Sequence, residues 1–242
     1  MKYTIDLHIH SCLSPCGDNE MTPNNIVNMA LLKGLDIIAV TDHNSAENVK
    51  AIMECAEDKG IVVVPGIEAV TAEEVHVVCY FNDLKNTLKM QEIIYSSLPD
   101  RKNNADIFGR QIICDREDNI TGEVERMLIT ATNIGIDNIF NIVGSLGGVA
   151  IPAHIDRDSY SVLANLGFVP ESYKGCYLET SKDCDYKNLS NKLNGLASAG
   201  YKLYKSSDAH YLKDIFERQN FIELPQRSVS AVIQRLKSIR KI

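Results

Sequence analysis

The sequence predicts an α/β fold built on a parallel sheet or barrel, and three observations carry that prediction. Short apolar runs of strand length alternate with helix-like runs over most of the chain, the pattern of buried strands joined by helices. The 242 residues are 45% hydrophobic, enough for one substantial core or a domain with a subdomain. Single α/β barrels often have this length. All six histidines fall within or just after the strand-like runs.

The elements follow in order. Tyr3–His10 is a strand that runs into a polar loop. "TPNNIVNMALLKG" is a helix, with Thr22 as N-cap, Pro23 at the first helical position and Gly34 as its stop. "LDIIAVT" (35–41) is a strand, and "SAENVKAIMECAEDKG" (45–60) a helix ending at Gly60. "IVVVPGIEA" (61–69) and "VHVVCYF" (75–81) are strands rich in β-branched residues. From about 83 to 133 the alternation breaks, and we expect a small inserted subdomain. Its opening "LKNTLKMQEIIYSSL" is helical, and "RQIICDREDNITGEVE" suits a hairpin around Asn119. The alternation returns with the helix "TNIGIDNIFNIVGSLGG" and the strands "VAIPAH" (149–154), "GCYLETS" (175–181) and "YKLYKSSDAH" (201–210). "YKNLSNKLNGLASAG" is a helix between the last two; "FIEL" (221–224) is a final strand and Val229–Arg240 a final helix. No linker or repeat divides residues 1–242, so a single domain is expected.

His8 and His10, at i and i+2 in a strand, share one face. His43, His154 and His210 each follow an apolar run, and His76 begins one. Asp6, Asp18, Asp42, Glu68, Asp156 and Asp208 lie beside them. Functional residues of parallel α/β folds gather at the carboxyl ends of strands, so the six histidines are expected at one place. Imidazole with carboxylate is a ligand set for zinc, iron or manganese. A lone histidine at a strand end is more often a hydrogen-bonded structural residue. The concentration of all six at strand ends, with none on a helix or in the insertion, favours metal.

A net charge of −7 is unsuited to a long nucleic-acid footprint, while a small anionic substrate held by local cations stays open. The start "MKYTIDLHIH" lacks a charged segment followed by an apolar run, and no stretch approaches the ~18 apolar residues of a membrane span. The seven cysteines (12, 16, 55, 79, 114, 176 and 184) form no CxxC pair and read as mostly reduced thiols in a cytoplasmic protein.

"DLHIHS", "GLDIIAVTDHN", "PGIEA", "VHVV", "IPAH" and "SDAH", in that order, resemble the PHP (polymerase and histidinol phosphatase) family of metal-dependent phosphoesterases. The resemblance implies a distorted seven-stranded (β/α) barrel with two or three divalent ions (zinc, manganese or iron) at its strand ends. By motif, it implies one metal on His8, His10, Glu68 and Asp208, and a second on His76, His154 and Glu68. It implies a third on His43, His210 and an acidic or histidine residue of the first loop. That loop, "HIHSCLSPCGDNEMTP", departs from the commoner "HxHSxxSDGxxxP". Counting back from Pro23 makes Asp18 the matching acid, with Cys16 a rival.

The implied activity is hydrolysis of a small phosphorylated substrate, either a nucleoside phosphate or a short oligonucleotide, with Glu68 bridging metals. Arg157 is the candidate phosphate-binding and catalytic cation, with a surface pair to Asp156 or Asp158 as its bland alternative. Lys182 and Lys205 are weaker candidates, and Asp42 is a candidate to orient a histidine. Histidinol-phosphate phosphatase and a non-catalytic metal-binding module are the competing readings. No membrane and no long duplex are expected as partners, and oligomeric state is undetermined.

Overall fold

The computed structural model describes residues 1–192 and 200–237. β1 (Lys2–Ile9), α1 (Pro23–Leu32), β2 (Ile37–Val40), α2 (Val49–Ala56) and β3 (Val62–Val70) form two consecutive βαβ units with parallel strands. β4 (His76–Tyr80) pairs antiparallel with β3 instead. Only residues 71–75 separate the two, too few for a crossover. α3 (Leu84–Ser97), α4 (Ala105–Phe108), β5 (Ile112–Cys114) and β6 (Ile120–Glu123) follow. α5 (Ile136–Ser145) leads back to β7 (Val149–Pro152), antiparallel to β4. The rest is α6 (Val162–Asn165), β8 (Tyr177–Thr180), α7 (Tyr186–Lys192), β9 (Lys202–Lys205), β10 (Phe221–Glu223) and α8 (Val229–Lys237). The later parts of the two last expected helices, 193–199 and 238–240, lie outside the described residues.

Six strands form one sheet in the order β10-β1-β2-β3-β4-β7, while β8 and β9 form a separate parallel ladder. Beyond the strand ends the two are stitched together. Ile155 N–H donates to the Glu179 carbonyl at 2.9 Å, and His10 N–H to the Ala209 carbonyl at 2.9 Å. The sheet therefore curls around the histidine-bearing rim. Where the motifs implied a seven-stranded barrel, the described residues show a curled six-stranded sheet and a separate two-stranded ladder, with β4 and β10 antiparallel to their neighbours.

Both faces of the sheet are covered. Ile5, Leu7, Ile37, Ala39, Val64 and Val78 face inward and meet Val232 and Leu236 of α8. Ile9, Ile38, Val40 and Val63 face α1 and α2 through Ile26, Val27, Ala30 and Ile52. In β2, successive residues alternate between these two clusters, as the strand pleat requires. In β1, Leu7 and Ile9 fall on different clusters, because the pairing with β2 shifts register between Asp6 and Ile9.

The segment 83–133 divides. Met90 and Ile94 of α3 belong to the main core, so this helix is part of the fold. The β5–β6 hairpin does turn near Asn119, whose N–H donates to the Asp115 carboxylate at 2.9 Å. It lies against the first loop through Cys12, Ile112 and Cys114. Gly109 has φ +96°, and a Cβ there would sit 2.0 Å from the Pro15 carbonyl oxygen, so only glycine lets the segment approach that loop. Among the described residues, no helix is long and apolar enough to cross a membrane.

Candidate metal centre

The rim brings the six histidines together. His8 lies near the end of β1, His10 just past it, and His154 just past β7. His76 begins its strand rather than ending it, and β4 runs opposite to β3, so its start falls on the same rim. His43 forms an isolated bridge with Glu68 of β3, and Asp208 and His210 follow β9. Two of these turns are strained: His154 has φ +29° and Asp208 φ +50°.

Glu68 is at the centre and fully buried. Its Oε1 lies 3.0 Å from His76 Nδ1, 3.3 Å from His8 Nε2 and 3.4 Å from His154 Nε2. Its Oε2 lies 2.7 Å from His43 Nδ1 and 3.5 Å from His10 Nε2. Despite these five nitrogens, neither oxygen has a hydrogen bond of acceptable geometry. Burial opposes ionisation of Glu68, but His76, His8 and His43 outweigh it and hold the carboxyl well below its usual range.

The outer partners fix which nitrogens face inward. Glu179 Oε1 accepts from His8 Nδ1 at 2.8 Å. Ser14 donates its hydroxyl to Asp42 at 2.7 Å, so it is the acceptor for His10 Nδ1 at 2.9 Å. Both imidazoles thus carry hydrogen on Nδ1, assigned from these partners. Their Nε2 lone pairs then face each other 3.1 Å apart, with Asp208 Oδ1 2.9 Å from His10 Nε2 and 3.2 Å from His8 Nε2. Buried lone pairs converging in this way repel unless a proton or a metal cation lies among them. The donor set fits divalent metal: His8, His10 and Glu68 form one group of ligand atoms, His43, Glu68 and His76 a second, and His10, His43 and His210 a third. Burial disfavours a charged His8, yet Glu179, Glu68 and Asp208 together raise it well above the ordinary imidazole value. Burial and the neighbouring His210 and His43 push His10 well below it.

Around this core, Asp42 acts through Ser14 rather than on a histidine directly. Arg157 places Nη1 2.5 Å from Asp208 Oδ2 and leaves much of its side chain exposed. It does not pair with Asp156, whose carboxylate accepts from the Ser181 N–H and hydroxyl. Lys205 donates to the Lys182 carbonyl, and Lys182 lies 3.6 Å from Asp214.

The two first-loop rivals part company. The Asp18 carboxylate accepts from Glu20 N–H at 2.9 Å, closing its own turn. The Cys16 thiol instead contacts His43 and His210; partial burial raises it, but the two imidazoles outweigh this and pull it down to about 6, and the residue keeps an exposed surface. Cys12 is buried with its sulfur 3.7 Å from that of Cys114, away from this pair.

Two residues escaped the sequence reading. Glu179 sits mid-strand in "YLETS", where a carboxylate carries no motif signal. Tyr160 stacks on His76 with ring centroids 4.8 Å apart while remaining half exposed. Its φ of +53° and its place in a polar loop, six residues after the 149–154 run, hid it. Beside Cys16, an open recess of about 370 Å³ is lined by Pro15, Asp18, Arg110 and Tyr211. A more apolar hollow between α5 and α8 is lined by none of the histidines.

A family model described as "PHP domain" matches residues 6–224. An uncharacterised protein of Methanocaldococcus jannaschii is 32% identical over 98 residues, covering 37% of this chain and 57% of that protein. The lesion-specific endonuclease PfuEndoQ of Pyrococcus furiosus superposes with a TM-score of 0.71 at 19% identity, over 100% of this chain and 57% of that one. Endonuclease Q bound to a 27-mer duplex with an abasic lesion gives 0.68 at 17% identity, over 100% and 58%. A protein of Bifidobacterium adolescentis described as a metal-dependent phosphoesterase gives 0.63 at 16% identity, over 98% and 97%. The chain spans little more than half the length of the Methanocaldococcus protein and of the endonucleases.

Proposed function

The chain belongs to the PHP domain family, and on that premise we propose that it is a metal-dependent phosphoesterase acting on a nucleoside phosphate or a short oligonucleotide. The observation that carries the reading is the pair of inward-facing Nε2 atoms of His8 and His10, 3.1 Å apart beside the unbonded Glu68 oxygens. His8, His10, Glu68 and Asp208 would hold one metal, His76, His154 and Glu68 a second, and His43 and His210 a third with a first-loop donor. Bound metals supply a water acid enough to ionise near neutral pH and neutralise phosphoryl charge.

The protein's own groups then have defined tasks. Arg157, anchored at Asp208 with its outer edge in solvent, binds phosphoryl oxygens. Glu68 would hold the metals as their carboxylate ligand. Glu179 and Ser14 keep the His8 and His10 protons on Nδ1, so that Nε2 stays a donor. Tyr160 offers a half-exposed ring for a nucleobase, and the recess by Tyr211 has the size of a small-ligand pocket. A net charge of −7 suits a small substrate better than a long duplex.

A second reading comes from the endonuclease likeness: incision of duplex DNA at a lesion. One experiment separates the readings. Metals are counted by elemental mass spectrometry on protein purified without chelator. Phosphate release or strand scission is then measured on nucleoside monophosphates, 3′,5′-bisphosphates, short oligonucleotides, histidinol phosphate and an abasic-site duplex. Two or three metals with turnover of a nucleotide support the first reading; scission of the duplex alone selects the second. No metal, and no turnover after adding zinc, manganese or iron, overturns both and leaves a non-catalytic module.

A further inference from the structure

The first loop is built to present one side chain to the histidines. Successive turns fold it: Ser14 N–H donates to the Ser11 carbonyl at 3.1 Å and Gly17 N–H to the Ser14 carbonyl at 2.8 Å. A Cβ on Gly17 would lie 2.5 Å from the Ser11 carbonyl oxygen, so the chain closes this tightly only with glycine there. Asp18 N–H donates to the His210 carbonyl at 2.9 Å, which ties the loop's backbone to the ligand segment while its carboxylate turns away to Glu20. From the other side, Gly109 abuts Pro15. Cys16, between these fixed points, contacts both His43 and His210.

Those histidines have ring nitrogens to offer. His210 Nδ1 lies 2.8 Å from the Asp208 carbonyl oxygen, which takes its hydrogen and leaves Nε2 as a donor. His43, 7% exposed, has Nδ1 beside Glu68 without a hydrogen bond. His10, His43 and His210 bring ligand atoms within 4.8 Å of one another, and His10 stacks on His210 with centroids 4.2 Å apart. No carboxylate is among this group of three, unlike the other two.

We infer that the Cys16 thiolate, not the Asp18 carboxylate, completes the third metal subsite beside His43 and His210. This rests on the metal-centre reading above. Coordination releases the thiol proton to solvent and forms a sulfur–metal bond. A nitrogen and sulfur donor set takes zinc, cobalt or ferrous iron in preference to magnesium or manganese, which favour oxygen. The third subsite therefore differs in metal preference from the carboxylate-rich pair beside it.

The test is spectroscopic and needs no substrate. The full chain is stripped with chelator, reloaded with cobalt(II), and scanned in the near ultraviolet for thiolate-to-cobalt charge transfer. Wild type and D18N should show the band and hold equal cobalt. C16S should lose the band and one cobalt per chain, with an unchanged circular dichroism spectrum; C16D should regain the cobalt without the band. A wild type that holds cobalt but lacks the band overturns the thiolate assignment while leaving the metal centre standing. The same holds if the band persists in C16S, or if D18N rather than C16S loses the ion. A chain that takes up no cobalt overturns both.

Discussion

Glu179 is the residue whose removal tests most directly how the protein sets its metal ligands. It is 1% exposed, with Oε1 2.8 Å from His8 Nδ1 and Oε2 3.1 Å from the Tyr204 hydroxyl. A carboxylate behind a ligand imidazole fixes its tautomer and raises its basicity, typically a 10- to 100-fold effect on metal affinity or activity. E179Q keeps an acceptor oxygen for His8 but removes the charge, so metal affinity should fall by about 10-fold, ~1.4 kcal/mol. E179A removes the acceptor as well, and the loss should approach about 100-fold. It also leaves His8 Nδ1–H and the Tyr204 hydroxyl buried without that partner. At about 2 kcal/mol each, the cost is ~4 kcal/mol, and the melting temperature should drop by about 8–16 °C. Affinity is read by competition with a chromophoric chelator and stability by calorimetry of the metal-free protein. If E179Q binds metal and turns over like wild type, the carboxylate charge plays no part and the tautomer argument fails.

Other perturbations have equally definite outcomes. H8A should lose more than about 100-fold in phosphoesterase activity while keeping its circular dichroism spectrum, because it removes a donor and not only its support; full activity would sink the assignment. G109A forces a side chain into φ +96° and against Pro15, so we expect a loss of about 1–3 kcal/mol and a lower melting temperature by calorimetry. Y160A should raise KM for nucleotides by about 5- to 100-fold while leaving that for a simple alkyl phosphate unchanged, since base stacking on an aromatic ring contributes about 1–3 kcal/mol. Asp36 accepts from Thr4 N–H and hydroxyl; burial opposes its ionisation, but these donors and Arg227 lower its pKa. Its folded value thus lies below the unfolded one, and its contribution is present above the unfolded pKa and lost as pH falls through the folded value. D36N should flatten melting temperature against pH in the acid range.

The sequence by itself determined the strands, the first helices and which residue types gather at the rim. Each apolar run can bury both faces only by pairing inside a covered sheet, and that logic is local. His8, His10, His43, His154 and His210 were legible because they terminate such runs. What tertiary structure alone decided depends on direction and on partners distant in the chain. His76 reaches the rim only because β4 runs antiparallel, a consequence of the short 71–75 connection. α3 joins the main core because its Met90 and Ile94 face side chains supplied by β3, β4 and α5. Glu179 meets His8 across 171 residues, and no spacing rule encodes that contact. Asp18 and Cys16 are two residues apart in a loop with no repeating geometry, so their order could not say which side chain turns inward. The turns closed by Gly17 and by the Asp18–Glu20 hydrogen bond spend the carboxylate on the backbone, while the thiol of the exposed Cys16 reaches the two imidazoles.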